Sequence, residues 1–471
     1  MRSREDPGGW ALSARETMKV GAETNATASV RGQGPNLVIF ILFVVSTFAW
    51  IDRSLVPLLI EPIKKDLGLT DTQVSLATGF FFSLAYSMMN VPAGLVIDRV
   101  NRRKVLAITS GAWSALLLVC GFTTGFWSLL VARIGIGSAE AFVTPATFSL
   151  VADRVPKQKH GWAFSVIGMG PFVGGAIALS GGGALLGWVR RGRFAHTPVL
   201  RDLADWQVMF ILSGLLTLPM LLLLLLLRPD PKGRRGAASS DPGLGVSAVV
   251  QMLQRRPGFY ASLILYASCM ALLILGITSW TPTMMARKFG LALDVIGIVY
   301  GLQGLVFGVG GMLAGGLVID LFTRRGLSIV HLAAGLVLIL ACLYTAVPLV
   351  TNATLAWTMI GLGAVVAGPL LPIGSVLLAR VTPPELMGRM SVAYYLPLGV
   401  IGGALGPTLV AILSDTMFSG PLALAHAMSV FALVTGVGTM VFLLCLMAAL
   451  RRHGREEVAA SAQDVAATLL V

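Results

Sequence analysis

The chain carries one ten-residue pattern twice, first as Gly94-Leu95-Val96-Ile97-Asp98-Arg99-Val100-Asn101-Arg102-Arg103 and again as Gly316-Leu317-Val318-Ile319-Asp320-Leu321-Phe322-Thr323-Arg324-Arg325. Each copy lies where an apolar run ends and a basic stretch begins. The two copies are about half the chain apart. A repeat at this spacing indicates that one unit of six helices was duplicated.

The composition excludes a soluble globular protein. Hydrophobic residues make up 56% of the 471 residues and charged residues 12%, which is more apolar surface than one soluble core buries. The apolar runs are about 20 to 25 residues long, enough to cross roughly 30 Å of hydrocarbon. We therefore predict an all-α membrane protein with twelve transmembrane helices in two pseudo-symmetric six-helix bundles, at 36–60, 73–97, 104–126, 128–152, 161–189, 206–227, 259–284, 295–319, 327–348, 355–379, 390–414 and 427–450.

The polar segments divide the chain into domains. The first 35 residues are polar and mixed in charge, so we expect a disordered tail, no cleavable signal peptide and a first helix that stays in the membrane. The segment 229–257 is rich in proline, glycine and basic residues and predicts a linker, in which Leu244 to Arg256 forms a short amphipathic helix. The predicted domains are a cytoplasmic tail (1–35), a first six-helix bundle (36–228), a cytoplasmic linker (229–257), a second six-helix bundle (258–451) and a second cytoplasmic tail (452–471).

The positive charge predicts the orientation in the membrane. The net charge is +13. With both termini on the inside, 25 basic residues fall in inner segments and 8 in outer loops, which satisfies the positive-inside rule. The basic loop at 190–201 is the exception. We expect a multi-pass protein of the bacterial inner (plasma) membrane, and charge spread over short loops argues against a nucleic-acid partner.

The sequence holds no signature of a metal, a cofactor or an enzyme. Its four cysteines all fall inside apolar runs, without Cys/His metal spacing, and are typical of helix packing. The predicted helices contain no nucleophile–base set, and no Walker motif indicates ATP as the energy source. We expect no metal, no cofactor and no catalytic activity.

Four charged residues lie deep inside the predicted helices: Asp52, Arg53, Arg133 and Glu140. Charges at membrane depth are costly and normally face a polar cavity or one another, so they indicate function, although a purely structural salt-bridge set is the alternative. Arg133 and Glu140 are seven residues apart and share a helix face, about 10 Å apart along the axis. Asp52 and Arg133 fall at one depth and are expected to meet, whereas Asp52 and Arg53 point about 100° apart.

These residues suggest a proton-coupling mechanism. A carboxyl group in a dry site holds its proton, and a nearby arginine favours its release. We hypothesise that Asp52 and Glu140 are the proton-coupling carboxylates, and that Arg53 and Arg133 modulate them or hold an anionic headgroup of the substrate.

The second half has no deep charge in its predicted helices. A charged wall that faces an uncharged one favours an amphipathic substrate over a small polar nutrient. Candidate cavity-lining residues are polar or aromatic, although each tyrosine alone is more typical of packing or of the membrane interface; they are Trp280, Tyr300, Gln303, Tyr394 and Tyr395.

The motifs resemble a known family of carriers. At Gly94 to Arg103 the string G-x-x-x-D-R-x-x-R-R resembles the loop between the second and third helices of the major facilitator superfamily, and the second copy at Gly316 to Arg325 strengthens the resemblance. The stretches Ile51 to Leu55, Glu61 to Leu67 and Ala132 to Ala141 resemble its spinster-type branch, whose animal members export sphingolipids or lysophospholipids. An Asp-Arg pair in the first helix also occurs in organic-anion carriers of the superfamily.

The resemblance assigns roles to further residues. It implies that the repeated loop is a conformational latch, in which Arg102 or Arg103 pairs with Asp153; a solvated basic loop is the alternative. The latch set is Gly94, Asp98, Arg99, Arg102, Arg103 and Asp153, with Asp320 and Arg324 as the weaker second copy. Gly170-Pro171 resembles the end of a fifth-helix antiporter motif, and Gly406-Pro407 repeats it in the eleventh helix, so we expect helix bends at both.

The sequence therefore predicts a secondary active transporter that works by alternating access and is driven by protons. The expected partners are an amphipathic organic or lipid-like substrate of lysophospholipid or sphingolipid type, the proton and membrane lipids, with the carrier a monomer. The alternatives are a proton-coupled drug or organic-anion carrier of the same superfamily, and a membrane receptor or scaffold that does not transport.

Overall fold

The computed structural model describes residues 34–97, 100–192, 197, 200–228, 246–383 and 386–469. In these residues twelve helices are long and apolar enough to cross a membrane, as the sequence predicts. They are α1 (Pro35–Leu67), α2 (Asp71–Gly94), α3 (Arg102–Cys120), α4 (Phe126–Arg154), α5 (His160–Arg190), α6 (Asp205–Leu226), α7 (Pro257–Phe289), α8 (Leu293–Arg324), α9 (Ile329–Leu349), α10 (Ala353–Val381), α11 (Arg389–Thr416) and α12 (Ala423–Arg452).

The helix ends follow local capping chemistry. α1 stops at Gly68, whose φ of 62° is a left-handed conformation that glycine adopts without strain. α2 begins two residues later with a capping box, in which Thr70 and Gln73 each bond the other's backbone N–H. Asn101 caps α3 by accepting a hydrogen bond from the Lys104 N–H. These caps shorten the loops and fix where neighbouring helices reverse.

Four helices contain a stretch of π-helix in their described residues. The stretches are Leu76–Phe80 in α2, Ile177–Gly181 in α5, Gly304–Gly308 in α8 and Leu398–Leu405 in α11. These are the second and fifth helices of each half, so the irregularity follows the repeat. π-Bulges inside α-helices concentrate at functional positions.

The two expected bends fall at breaks in the α-helical geometry. In α5, one α-helical segment ends at Gly168 and the next begins at Gly170. In α11, the π-helix gives way to α-helix at Gly406. A proline follows each glycine and lacks the N–H that a continuous α-helix would use.

The two halves are built alike. In the first half, Gly174 of α5 lies against the backbone of Thr47 in α1. In the second half, Gly406 of α11 lies against the backbone of Leu272 and Gly276 in α7. In both halves the fifth helix therefore approaches the first helix through glycine, which lets two backbones come close.

The halves meet in the middle of the molecule and at one end. The contacts pair α1 with α7, α2 with α11, and α5 with α8. The α5–α8 contact uses α5 from residue 170 to 190 and α8 from residue 293 to 308. We call the end that contains Glu61, Asp71 and Arg287 the Glu61 end, and the opposite end, with Asp153, the Asp153 end.

The linker and the end of the last helix can be compared with the predicted domain limits. Residues 229–245 of the linker and 1–33 of the first tail lie outside the described residues. The rest of the linker contains a helix at Val246–Arg255, where an amphipathic helix was predicted. Its apolar side chains Val249, Met252 and Leu253 pack against the core. The last helix continues to Leu469, so helical backbone extends beyond the predicted bundle limit at 451.

Candidate functional site

Asp52 of α1 and Arg133 of α4 form a buried ion pair. The Nη1 of Arg133 lies 3.0 Å from one carboxylate oxygen of Asp52 and 3.3 Å from the other. The Nη2 of Arg133 donates to the carbonyl of Thr78, 3.2 Å away, within the π-helical stretch of α2. Both side chains are 1% exposed. The two residues meet at one depth, as the helix geometry predicts.

Arg53 of α1 and Glu140 of α4 form a second ion pair, which was not predicted from the sequence. The Nε of Arg53 donates to Oε2 of Glu140 at 2.7 Å, and its Nη2 lies at the same distance from that oxygen. Glu140 is wholly buried, whereas the side chain of Arg53 is 20% exposed. Of the four charged residues, Arg53 is therefore the one that reaches accessible space.

Aromatic rings of α1 and α2 surround the Arg53 guanidinium group. Its central carbon lies 4.0 Å from the ring centre of Tyr86, 5.2 Å from that of Phe82 and 5.4 Å from that of Trp50. The hydroxyl of Tyr86 lies 3.3 Å from that of Thr144 in α4. These rings were not predicted from the sequence; their signal is the four-residue spacing of Phe82 and Tyr86, which puts both on one helix face.

Two buried polar atoms of this site have no hydrogen-bond partner among the described residues. They are Nε of Arg133 and Oε1 of Glu140. Buried polar groups are nearly always paired, so unpaired ones call for an explanation. An unpaired carboxylate oxygen in a dry site is a position where a proton can bind without displacing another partner.

The polar residues expected in the second half fall into two groups. The Tyr300 hydroxyl donates to the Thr278 carbonyl, and Gln303 donates to the Trp357 carbonyl, both from partly exposed positions. Tyr395 is 52% exposed, and its hydroxyl lies 2.7 Å from that of Ser375. These three residues remain candidates for lining the space between the halves.

The structure corrects the expectation for Trp280 and Tyr394. Trp280 is fully buried, and its indole N–H donates to the Pro407 carbonyl at 2.8 Å. Tyr394 is 2% exposed, and its hydroxyl occupies the space where a side chain on Gly374 would stand. Both side chains therefore pack inside the second half and do not line a cavity in this conformation.

The first copy of the repeated loop forms one of the expected contacts. Arg102 pairs with Asp153 of α4, whereas Arg103 donates to the Leu225 carbonyl of α6. Asp98 and Arg99 lie outside the described residues, and Gly94 has open space on its Cβ side. In the second copy, Asp320 and Arg324 are exposed and form no ion pair within the described part of the chain. A role for these residues as a latch remains a prediction.

A second charged cluster joins the two halves at the Glu61 end, and the sequence analysis missed it. Arg287 of α7 donates from Nε to Glu61 of α1 and from both Nη atoms to Asp71 of α2, each at 2.8 Å. Asp415 of α11 accepts the backbone N–H groups of Asp71 and Thr72 at 3.3 and 2.7 Å. We call Glu61, Asp71, Arg287 and Asp415 the Glu61 cluster. One of the eight basic residues assigned to outer loops from the sequence is Arg287.

The described residues contain no group of three His, Cys, Asp or Glu side chains close enough to hold a metal ion. The site thus contains two buried carboxylates, Asp52 and Glu140, each paired with one arginine. Of these arginines, Arg53 is accessible. The two halves around the site are joined at the Glu61 end.

Comparisons with known proteins agree with this architecture. Residues 40–407 match the family model described as Major Facilitator Superfamily. An "MFS-type efflux pump" of Mycolicibacterium smegmatis is 26% identical over 422 residues, covering 88% of this chain and 92% of that protein. The "probable galactarate/D-glucarate transporter GarP" of Escherichia coli K12 is 25% identical over 354 residues, covering 69% of this chain and 75% of that protein. Among solved structures, a bacterial homologue of the human lysosomal transporter Spinster, inward-facing and occupied, superposes with a TM-score of 0.76 at 23% identity, covering 89% and 98% of the two chains.

Proposed function

Because the chain belongs to the Major Facilitator Superfamily, we propose that it is a proton-coupled secondary transporter of an amphipathic organic or lipid-like anion. The observation that carries this proposal is the pair of buried carboxylates, Asp52 and Glu140, each held by one arginine. Its relatives are named as transporters and pumps, and the proposal involves no catalysis.

Proton coupling follows from how each carboxylate is held. Burying a charge is expensive unless it is paired, so a proton that neutralises a buried carboxylate also removes the attraction for its arginine. Protonation of Glu140 releases Arg53, whose side chain already reaches accessible space. Proton binding and substrate binding then act on the same guanidinium group, which links the two events.

The substrate class follows from the contrast between the halves. Arg53 presents positive charge framed by the aromatic rings of Tyr86 and Trp50. In the described residues of α7–α12, every charged side chain lies at or near a helix end. A molecule with one anionic group and an apolar remainder can contact the charged surface of the first half and the uncharged surface of the second half at once. Lysophospholipids and sphingosine phosphates have this composition.

A second candidate substrate is a smaller organic anion. The relative from Escherichia coli is named as a carrier of galactarate and D-glucarate, which are sugar acids. A sugar acid would use the charge of Arg53 and the polar groups of Tyr300, Gln303 and Tyr395. The same proton-coupling carboxylates would serve either substrate.

We place the carrier as a monomer in the bacterial inner membrane, in contact with its lipids and with both termini in the cytoplasm. The distribution of basic residues supports this orientation. The Glu61 end, where the halves are joined, is then the outer end, and the conformation is inward-facing. The solved structure of the Spinster homologue is likewise described as inward-facing.

The test is flux in proteoliposomes with and without an imposed pH gradient. The substrates are labelled lysophosphatidylcholine, sphingosine-1-phosphate and D-glucarate. Gradient-driven flux of a lipid is expected in the native chain and is expected to fall to the gradient-free rate in Asp52→Asn and Glu140→Gln. Asp205→Asn, which removes one partner of an exposed pair, serves as the matched control.

The outcomes separate the two parts of the proposal. Full gradient-driven flux in both carboxylate variants would refute proton coupling through these residues. Flux of D-glucarate without flux of either lipid would assign the transporter to the second candidate substrate.

A further inference from the structure

The ring of Phe82 in α2 touches both arginines of the site. The guanidinium carbon of Arg133 lies 4.6 Å from the ring centre and that of Arg53 lies 5.2 Å from it. Phe82 is 6% exposed. One aromatic side chain is therefore the common neighbour of two ion pairs that share no charged residue.

Gly137 of α4 explains how Phe82 reaches this position. A Cβ on Gly137 would lie 2.5 Å from the carbonyl oxygen of Phe82 and 3.2 Å from its ring carbon Cδ2. Residues 133, 137 and 140 share one helix face, because they are separated by four and three positions. Phe82 thus fills the surface of α4 between Arg133 and Glu140.

Arg133 and Glu140 carry opposite charges on one helix face, yet they do not form an ion pair with each other. They are two turns apart on one face, about 10 Å along the axis, which their long side chains can bridge. Each also retains an unpaired buried atom, Nε of Arg133 and Oε1 of Glu140. Contact between them would satisfy both atoms, and the position of Phe82 stands in the way.

We propose that Phe82 is a positioning residue that acts as a wedge between Arg133 and Glu140 and so keeps the two ion pairs separate. Its consequence for transport rests on the proposed function, in which Asp52 and Glu140 carry protons. With the wedge in place, a proton on Glu140 releases Arg53 alone and leaves Arg133 on Asp52. Without it, Arg133 would move to Glu140 and the two carboxylates would act as one unit.

The test is a double-mutant cycle on the melting temperature of the purified protein, using Arg133→Gln, Glu140→Gln and the double variant. The departure from additivity is measured in the native chain and again in chains that carry Phe82→Ala. It is expected to be small in the native chain and clearly larger with Phe82→Ala, since the pair then forms. If Phe82→Ala cannot be purified, Phe82→Val removes the ring as well.

Two further variants separate a wedge from a general loss of packing. Phe82→Leu keeps most of the apolar bulk, so its departure from additivity is expected to stay near the native value. Phe81→Ala removes a neighbouring ring that packs edge-on against Phe80, and it is expected to change nothing in the cycle. The proposal is overturned if the departure from additivity is equal in the native and Phe82→Ala chains. It is also overturned if Phe81→Ala increases this departure as much as Phe82→Ala does. Melting requires no flux, so this result is independent of whether the proposed transport is observed.

Discussion

The guanidinium group of Arg53 combines a charge interaction with an aromatic one. Its Nε and Nη2 both point at one oxygen of Glu140, and its flat face lies 4.0 Å from the centre of the Tyr86 ring. A planar, delocalised cation makes both contacts at once, which a lysine ammonium does not. Tyr86 therefore supports the orientation of Arg53 from the accessible side.

Replacing Tyr86 tests this support. In Tyr86→Leu the cation–π contact is lost, and we expect KM for the anionic substrate to rise about two- to thirtyfold, since such contacts contribute about 0.5–2 kcal/mol. Tyr86→Phe keeps the ring and loses the hydroxyl with its contact to Thr144, so its KM should stay nearer the native value than that of Tyr86→Leu. The measurement is the concentration dependence of flux in proteoliposomes. An equal rise in both variants would show that the hydroxyl, not the ring, matters.

The Asp52–Arg133 pair makes a prediction about stability. Removing one partner of a buried ion pair leaves the other charge uncompensated and costs about 3–5 kcal/mol, whereas replacing both by apolar residues costs far less. Arg133→Met alone should therefore lower the melting temperature more than Arg133→Met combined with Asp52→Leu. Asp205→Asn, in an exposed pair with Arg190, should change it little. A double variant less stable than Arg133→Met would contradict this reasoning.

The charged residues of the candidate site could be identified from the sequence, but not all of their contacts could. Asp52, Arg53, Arg133 and Glu140 stand out because charges deep in apolar runs are rare. Their register along the helices also predicted the Asp52–Arg133 contact. The Arg53–Glu140 contact depends on how α1 and α4 are rotated against each other, which tertiary packing determines. Phe82 looks like any other apolar residue in its helix until its neighbours are known.

Among the helices, α5 and α8 approach each other through glycine. A Cβ on Gly297 would lie 2.5 Å from the Leu179 carbonyl and 2.8 Å from the Cα of Gly183. A Cβ on Gly301 would lie 2.3 Å from the hydroxyl of Ser180. These residues belong to opposite halves, so the close approach holds the two bundles together towards the Glu61 end.

Enlarging Gly297 should force this crossing apart. We expect Gly297→Val to lower the melting temperature and to reduce flux several-fold, because backbone atoms block the new side chain and cannot rotate away. Gly310→Ala lies on the same helix with nothing within 4 Å of the added Cβ. Because alanine favours a helix over glycine by about 1 kcal/mol, this control should be as stable as the native chain or more so. Equal flux in Gly297→Val and the native chain would show that the crossing is not needed for transport.

The helices themselves were largely predictable from the sequence. Twelve apolar runs became twelve helices of spanning length because the hydrocarbon thickness fixes the length that each run needs. The π-helical stretches were not predicted, since a one-residue insertion in the hydrogen-bond ladder leaves no mark on hydropathy. The abundant glycines pointed to close helix packing in general, but only the fold shows that Gly183 and Gly297 meet across the two halves.

For the whole molecule, the Glu61 cluster joins the two halves at the Glu61 end. Arg287 belongs to the second half and binds two carboxylates of the first half, Glu61 and Asp71. Asp415, also of the second half, accepts two backbone N–H groups at the start of α2, where the helix dipole favours a negative charge. In the alternating-access cycle that we propose, these contacts break when the Glu61 end opens, so we expect them to bias the equilibrium towards the conformation seen here.

Removing Arg287 should shift that equilibrium. Ser75 of α2 is buried, and its hydroxyl lies 3.2 Å from that of Thr408 in the second half. In a Ser75→Cys variant that lacks the four native cysteines, the new cysteine is therefore labelled by a maleimide only when the Glu61 end opens. The rate of labelling is measured in detergent. We expect labelling to increase several-fold in Arg287→Ala and to stay closer to the native rate in Arg287→Lys, which keeps a positive charge beside Glu61 and Asp71. Lys65→Ala is the control, because Lys65 pairs with Glu61 inside α1 and does not bridge the halves. Unchanged labelling in Arg287→Ala would mean that the α5–α8 and α2–α11 contacts alone keep this end closed.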